Sequence, residues 1–418
     1  MSRMARETRS RVEDLRAATR LAVEATRSVT DLVEAMHQTI GAGPAVLGRP
    51  LERPIRVLTA PVYGGIRGAT RLVGAGIDRA LAGIAPLATP RAPGKELEAV
   101  LAALNGVLGD YLAETRNPLA IQMGLHHGGH RLELDQRALR IALPGAGRKL
   151  LVLVHGSSMN EEAWSRPGHD HGAALARDLG YTPVYLRYNS GLHISTNGRE
   201  LSLLLERLVT EWPVPLDELV LLAHSMGGLV SRSACHAAET AGHRWRRRLT
   251  GLVCLGSPHH GAPLERGGSW VDVLLGVSRY SRPLAKLGRI RSAGVTDLRF
   301  GYVLDEDWQG RDRFRLTADR RTPLPLPAGV ECYAIAGTKA RRPRARLPGD
   351  GLVPVDSALG RHRKPELTLA FPEAHRWIGF GIGHVELLGS TQVYATLRRW
   401  LSPRRRGQPA RRRTTGAS

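Results

Sequence analysis

The sequence predicts an α/β fold in which a mostly parallel sheet carries helices on both faces. Short apolar runs alternate with longer amphipathic stretches from residue 150 onward, and this alternation is typical of βαβ units. The run 150–154 is apolar at every position, as expected for a strand buried on both faces. The predicted strands are 150–154, 182–187, 218–223, 251–255 and 330–336, and the predicted helices lie near 161–178, 198–212 and 226–240.

Period-two alternation over 131–135 and 138–143 predicts an antiparallel hairpin that opens the sheet. A last strand is expected near 366–371, followed by a closing helix over 385–401.

Ser225 is the first candidate for catalysis. It lies between the apolar run 219–222 and a helical pattern from 229 to 235, with Gly227 and Gly228 behind it. A serine between small residues at a strand-to-helix turn is the nucleophile elbow of α/β-hydrolases. The first small residue is Ala223, where a glycine is usual, so the five-residue pattern alone is weak. The acid and the histidine that follow in the sequence support the assignment.

An acid and a histidine follow Ser225 in the order that this fold requires. Asp350 comes soon after the strand 330–336, and His384 follows a glycine-rich loop just before the closing helix. In a triad, the histidine takes and returns the serine proton, and the carboxylate fixes the imidazole tautomer and stabilises its charged form. Asp356 is the alternative acid, and His375 is the alternative base.

Two backbone N–H groups are expected to form the oxyanion hole. The strand 150–154 ends in His155-Gly156, and the next residue, Ser157, would supply one donor. Met226, directly after the nucleophile, would supply the other.

These segments together resemble bacterial lipases and esterases, and most closely those related to the inositol deacylase of glycosylphosphatidylinositol anchors. The resemblance rests on His155-Gly156, on 223–228, on 256–261 and on 350–354, and it extends from about residue 130 to 402. It implies ester hydrolysis through an acyl-enzyme without a metal or other cofactor. It does not imply that an inositol lipid is the substrate.

We expect a helical N-terminal extension over 1–125, a hydrolase domain over 126–402 and a disordered basic tail over 403–418. Apolar residues at helical spacing predict three amphipathic helices in the extension, at 8–40, 55–84 and about 95–114. They pack on the catalytic domain or on each other, or they lie on a membrane surface. Residues 262–326 interrupt the strand–helix alternation and predict a lid or cap, with a structural insertion as the alternative.

Composition and charge bear on which partners and metals the protein could bind. The net charge of +22 could attract nucleic acid or anionic lipid, but no nucleic-acid motif accompanies it and only 5% of residues are aromatic. We therefore expect no specific nucleic-acid partner. Cys235, Cys254 and Cys332 lie among apolar neighbours without metal-ligand spacing, which indicates buried thiols in a reducing compartment. His259 and His260 lack a carboxylate set to complete a metal site.

The sequence thus predicts a cytoplasmic serine hydrolase that cleaves carboxylic esters, with peripheral membrane association as an open alternative. The apolar helices and basic surface favour a lipid-like ester. An acyltransferase or thioesterase on the same triad, and an inactive membrane-associated scaffold, are the competing hypotheses. Acyl-chain length, head group and oligomeric state are not determined by the sequence.

Overall fold

The computed structural model describes residues 95–114, 116, 120–262, 292–311, 313, 318–345 and 347–403. The expected helices at 8–40 and 55–84, residues 263–291 of the predicted 262–326 insertion, and the tail from 404 lie outside the described residues.

Within these described ranges, eight strands form one sheet in the order β2-β1-β4-β3-β5-β6-β7-β8. Strands β3 to β8 run parallel, and β1 is antiparallel to both of its neighbours. This is the mostly parallel α/β sheet that the sequence predicts. The strands are β1 Gly124–His127, β2 His130–Arg131, β3 Lys149–Val154, β4 Thr182–Arg187, β5 Glu218–His224, β6 Leu249–Leu255, β7 Glu331–Thr338 and β8 Arg376–Phe380.

The described helices are α1 Lys95–Glu114, α2 Gln136–Ala142, α3 His171–Leu179, α4 Ile194–Glu211, α5 Met226–Ala241, α6 Ala293–Asp297, α7 Val355–Ala358 and α8 Thr391–Leu401. Helices α4 and α5 pack on each other, and α3 packs on β4 and α8. In β3 and β5 every residue after the first is buried. Since successive side chains of a strand point to opposite faces, both faces of the sheet centre are covered.

The predicted opening hairpin is wrong in position. The hairpin is formed by β1 and β2, and its two-residue turn is Gly128-Gly129, with φ of 57° and 80°. Two consecutive positive φ angles define the tight turn that glycine favours. Residues 138–143, predicted as a strand, belong mainly to α2, which begins because the Asp135 carboxylate accepts the Ala138 N–H at 2.9 Å.

The predicted last strand at 366–371 is also wrong. That segment begins with the 3₁₀ helix Pro365–Leu367 and continues as irregular chain, while β8 pairs with β7 from Arg376 onward. The predicted helix near 161–178 is divided into the 3₁₀ helix Glu161–Trp164 and α3, which Asp170 caps. The closing helix is similarly divided before Ser390, the N-cap of α8.

Helix α1 packs against the loops that follow β3 and β4. A Cβ atom on Gly109 would lie 1.8 Å from Asn189 Oδ1, so only glycine permits this approach. The Asn189 side-chain amide donates to the Gly109 carbonyl at 2.8 Å. The third predicted amphipathic helix therefore contacts the sheet domain closely.

The three cysteines are unpaired and buried, as expected. Burial raises the pKa of Cys235 and of Cys254 to about 12, which makes these thiols unreactive at neutral pH. Among the helices in the described ranges, none is both long and apolar enough to cross a membrane.

Candidate active site

The backbone at Ser225 has an unusual conformation. Its φ of 53° and ψ of −125° lie outside the regions that L-residues prefer, between the end of β5 and the start of α5. The Ser225 N–H donates to the Leu255 carbonyl at 2.8 Å, which ties the turn to the end of β6. A strained residue at a strand-to-helix turn is the geometry of a nucleophile elbow.

Close backbone contacts explain the small residues around the elbow. A Cβ atom on Gly227 would lie 2.5 Å from the Val154 carbonyl oxygen, and one on Gly228 would lie 2.1 Å from Ser257 Oγ. A Cβ atom on Gly156 would lie 3.0 Å from the Cβ atom of Ser225. Ala223, in contrast, is buried within β5, where a methyl group fills core space. The departure from the usual glycine is therefore compatible with the turn.

Asp350 and His384 form a buried pair beyond the carboxyl ends of β7 and β8. His384 Nδ1 lies 2.7 Å from Asp350 Oδ2, and the His384 N–H donates to the Asp350 carbonyl at 3.1 Å. The second carboxylate oxygen accepts the backbone N–H groups of Leu352 and Val353, at 3.0 and 2.8 Å. The carboxylate is thus fixed on both sides, and the contact assigns the proton to Nδ1, leaving Nε2 as an acceptor.

The elbow adjoins this pair. A Cβ atom on Gly256 would lie 3.1 Å from Asp350 Oδ2 and 3.3 Å from His384 Nδ1, and Gly256 directly follows the residue that Ser225 contacts. Ser225 Oγ and His384 Nε2 are buried, and neither has a hydrogen-bond partner within the described ranges. Catalytic hydrogen bonds are often long without substrate, so this geometry is compatible with a serine–histidine pair.

The alternative acid and base lie elsewhere. The Asp356 side chain is 76% exposed and lies 3.8 Å from Arg361. His375 lies near the amino-terminal ends of β7 and β8. Its Nδ1 is 3.2 Å from the Cys332 carbonyl oxygen, and its Nε2 is 3.4 Å from Glu331. Since β7 begins at Glu331, its length of about 20 Å separates His375 from the end near Asp350.

Ser157 follows the loop His155-Gly156 at the end of β3, and Met226 directly follows Ser225. Met226 is the first residue of α5, so its N–H has no acceptor inside the helix. Within the described part of the chain, neither the Met226 nor the Ser157 N–H has an acceptor. Both groups could therefore donate to a negatively charged oxygen, and their role as the oxyanion hole stays a prediction.

Three supporting contacts were not predicted. His224 Nε2 lies 3.0 Å from the His384 carbonyl oxygen, and burial lowers the pKa of His224 well below its usual value, so the neutral ring donates this bond. Ser158 adopts a φ of 59°, and its N–H donates to Ser190 Oγ at 2.9 Å. Tyr188 stacks on His155 at 4.3 Å and donates its hydroxyl to the His155 carbonyl. The only sequence signal for these roles is position next to the elbow or next to the end of a strand.

The mostly parallel sheet and the strand-to-helix turn at Ser225 together define an α/β-hydrolase fold. Residues 201–322 match the family model described as the PGAP1-like alpha/beta domain. This match confirms the resemblance found in the sequence, over less than a third of the chain.

Comparison with curated proteins gave no significant match. Three solved structures are similar to this chain at low sequence identity. Bacillus licheniformis lipase BlEst2 in mature form is 18% identical, with 68% of this chain and 98% of that chain covered and a TM-score of 0.41. Legionella pneumophila phospholipase PlaB is 17% identical, with coverages of 51% and 46% and a TM-score of 0.33. Lipase 1 from Pelosinus fermentans is 14% identical, with coverages of 61% and 99% and a TM-score of 0.34.

Proposed function

We propose that the protein is a serine hydrolase that cleaves carboxylic esters through Ser225, His384 and Asp350. The observation that carries the proposal is the buried Asp350–His384 pair, with its 2.7 Å contact, beside the strained elbow at Ser225. A carboxylate, an imidazole with a free Nε2 and a serine at a positive φ are the parts that acyl transfer requires.

In this mechanism His384 Nε2 takes the Ser225 proton as Oγ attacks the ester carbonyl. The oxyanion of the tetrahedral intermediate accepts hydrogen bonds from the N–H groups of Ser157 and Met226. The positive end of the α5 dipole also stabilises the negative charge of the oxyanion. His384 then gives the proton to the leaving alkoxide, and an acyl-serine remains. Water attacks this ester with His384 again as base, which releases the acid and restores Ser225.

A lipid-like ester is the substrate class we favour. The net charge of +22 suits an anionic surface, and the sequence predicts apolar stripes on helices at 8–40 and 55–84. Cytoplasmic location with peripheral membrane association stays a prediction. Deletion of residues 1–90 should weaken sedimentation with anionic vesicles if these helices bind lipid. Aggregation and loss of activity on every ester would instead indicate that they pack on the protein.

The proposed activity is tested with p-nitrophenyl esters of increasing acyl-chain length. We expect turnover by the full chain, with higher kcat/KM on longer chains, and a loss of about 10⁵-fold or more in Ser225→Ala, as for loss of the base. Near-normal turnover by that variant would refute the assignment of Ser225. Adding an alcohol or thiol acceptor to the assay distinguishes hydrolysis from acyl transfer, because a transferase would form the new ester or thioester in preference to the free acid.

A further inference from the structure

A cluster of buried basic side chains includes Arg232 and Arg321. Arg232 is on α5, seven residues after the elbow, and is only 4% exposed. Arg321 lies in 318–326, the last part of the predicted 262–326 insertion and here called the returning chain, and its side chain is 5% exposed. With His259 and His260, from the loop after β6, they line a cavity of about 20 Å³. That volume is enough for a water molecule or a monatomic ion and too small for an acyl chain.

The charge of Arg321 is balanced. Asp319 Oδ2 lies 3.2 Å from its Nη2, and buried Asp307 is a second carboxylate in its surroundings. Arg321 also donates through Nη1 to the carbonyls of His259, at 3.1 Å, and Phe300. This guanidinium therefore joins the returning chain to the loop after β6.

The charge of Arg232 is not balanced within the described residues. Its one hydrogen bond there is from Nη2 to the Leu324 carbonyl, at 2.5 Å, and its Nε has no acceptor. Three thiols and Arg321 act on its charge: the thiols of Cys254, Cys332 and Cys235 are uncharged at neutral pH because burial raises their pKa values, and Arg321 is also positive. Burial lowers the pKa of Arg232 to about 10, so the side chain remains charged at neutral pH. A buried charge without a counter-charge is strongly unfavourable.

The histidines of the cavity can donate but add no negative charge. Burial lowers the pKa of His260 to about 4 and that of His259 well below its usual value, so both rings are neutral at pH 7. Neither ring nitrogen of His259 has a partner in the described part of the chain. The cavity thus combines an unbalanced guanidinium with free N–H donors, which is the environment of an anion.

We propose that this cavity binds a small monovalent anion of the halide class, with chloride as the physiological candidate. The anion supplies the counter-charge of Arg232 and accepts hydrogen bonds from the N–H groups of Arg232 and His259. Because Leu324 and Arg321 lie on the returning chain, the anion fastens that chain to α5 and to the loop after β6. Chloride then stabilises the folded protein without taking part in ester cleavage.

Thermal unfolding of the full chain at constant ionic strength in sodium chloride, bromide or gluconate tests this proposal. Chloride and bromide should raise Tm over gluconate by about 3 °C at about ten times the dissociation constant, with a logarithmic dependence on concentration. The ³⁵Cl resonance should broaden with added protein. Equal Tm values in the three salts, without broadening, would overturn the proposal.

Arg232→Met should remove both effects, because it removes the charge that the anion balances. Arg341→Met, at an exposed position, is the matched control and should retain both. If Arg232→Met does not fold, Arg232→Lys keeps the charge but loses the planar guanidinium, and should weaken the halide response. Anomalous scattering from bromide-soaked crystals then gives the position directly, and a peak only outside the cavity would contradict the assignment. Ser225→Ala should keep the full halide response, so this test is independent of the esterase assay.

Discussion

The two sides of the candidate active site are held in different ways. On the acid–base side, Asp350 and His384 are joined through both side chain and backbone, and neighbouring N–H groups fix the carboxylate. On the oxyanion side, the loop after β3 is positioned by close packing, with Gly106 of α1 directly against Ser158. Changes on the first side should therefore affect chemistry more than stability, whereas changes on the second should affect both.

The largest effect is expected at the base. His384→Ala should reduce kcat by about 10⁵-fold or more, because Ser225 loses its proton acceptor. His375→Ala is the matched control, since His375 lies at the amino-terminal ends of the strands, away from Asp350. Steady-state ester hydrolysis by the two purified variants checks the ranking, and the reverse order would make His375 the base.

The second-largest loss of activity is expected when the acid of the triad is replaced. Asp350→Asn should reduce kcat by about 10⁴-fold, because an amide that donates toward His384 favours the wrong tautomer. Asp356→Asn, at an exposed carboxylate, should leave kcat within a few-fold of the unaltered protein. Circular dichroism and Tm should be nearly unchanged in both variants. An equal loss in the two would show that Asp350 has no special role.

On the oxyanion side, Gly106→Ala is expected to impair activity and stability together. The new methyl would lie 2.8 Å from Ser158 Cα, so the loop that carries Ser157 must move. A displacement of this kind can reduce kcat by about 10²-fold, and overpacking costs about 1–3 kcal/mol of unfolding free energy. Gly145→Ala is the control, because a Cβ there meets nothing within 4 Å.

Urea unfolding and kcat measured on both glycine variants provide the comparison. A Gly106→Ala variant with normal kcat would show that α1 does not position the oxyanion loop. Alanine has the higher helix propensity, so any destabilisation has to come from the contact with Ser158.

A smaller effect concerns pH. His171 Nε2 lies 2.9 Å from the carbonyl oxygen of Leu387, on the loop that carries His384, and burial lowers the pKa of His171 to about 4. Between pH 6.5 and 4 the unfolded chain binds a proton at this residue and the folded chain does not. Stability should therefore fall as pH falls, by about 1.4 kcal/mol per pH unit for this residue.

His171→Gln can still donate to Leu387 but does not titrate, so the dependence of unfolding free energy on pH should be shallower in that range. Urea unfolding at pH 6.5, 5.5 and 4.5 measures it. The same slope in both proteins would show that His171 does not control acid sensitivity.

The sequence was informative where function depends on order and local pattern. The sheet could be predicted from the alternation of apolar runs, and the candidates Ser225, Asp350 and His384 from their order after strands. The packing of Gly106 on Ser158 and the contact of His224 with the His384 carbonyl could not be predicted, because each joins segments far apart in the chain. The period-two alternation over 138–143 predicts a strand, but the Asp135 carboxylate caps a helix there by accepting a hydrogen bond from the Ala138 N–H.

The central claim is that Ser225 is a nucleophile activated by His384. Intact mass and peptide mapping after treatment with a fluorophosphonate test it directly, since the probe forms a covalent bond only with an activated serine. We predict one adduct, on the peptide that contains Ser225, in the unaltered protein and in His375→Ala, and none in Ser225→Ala or His384→Ala. A folded protein that takes no label, or takes it on another serine, would contradict the claim.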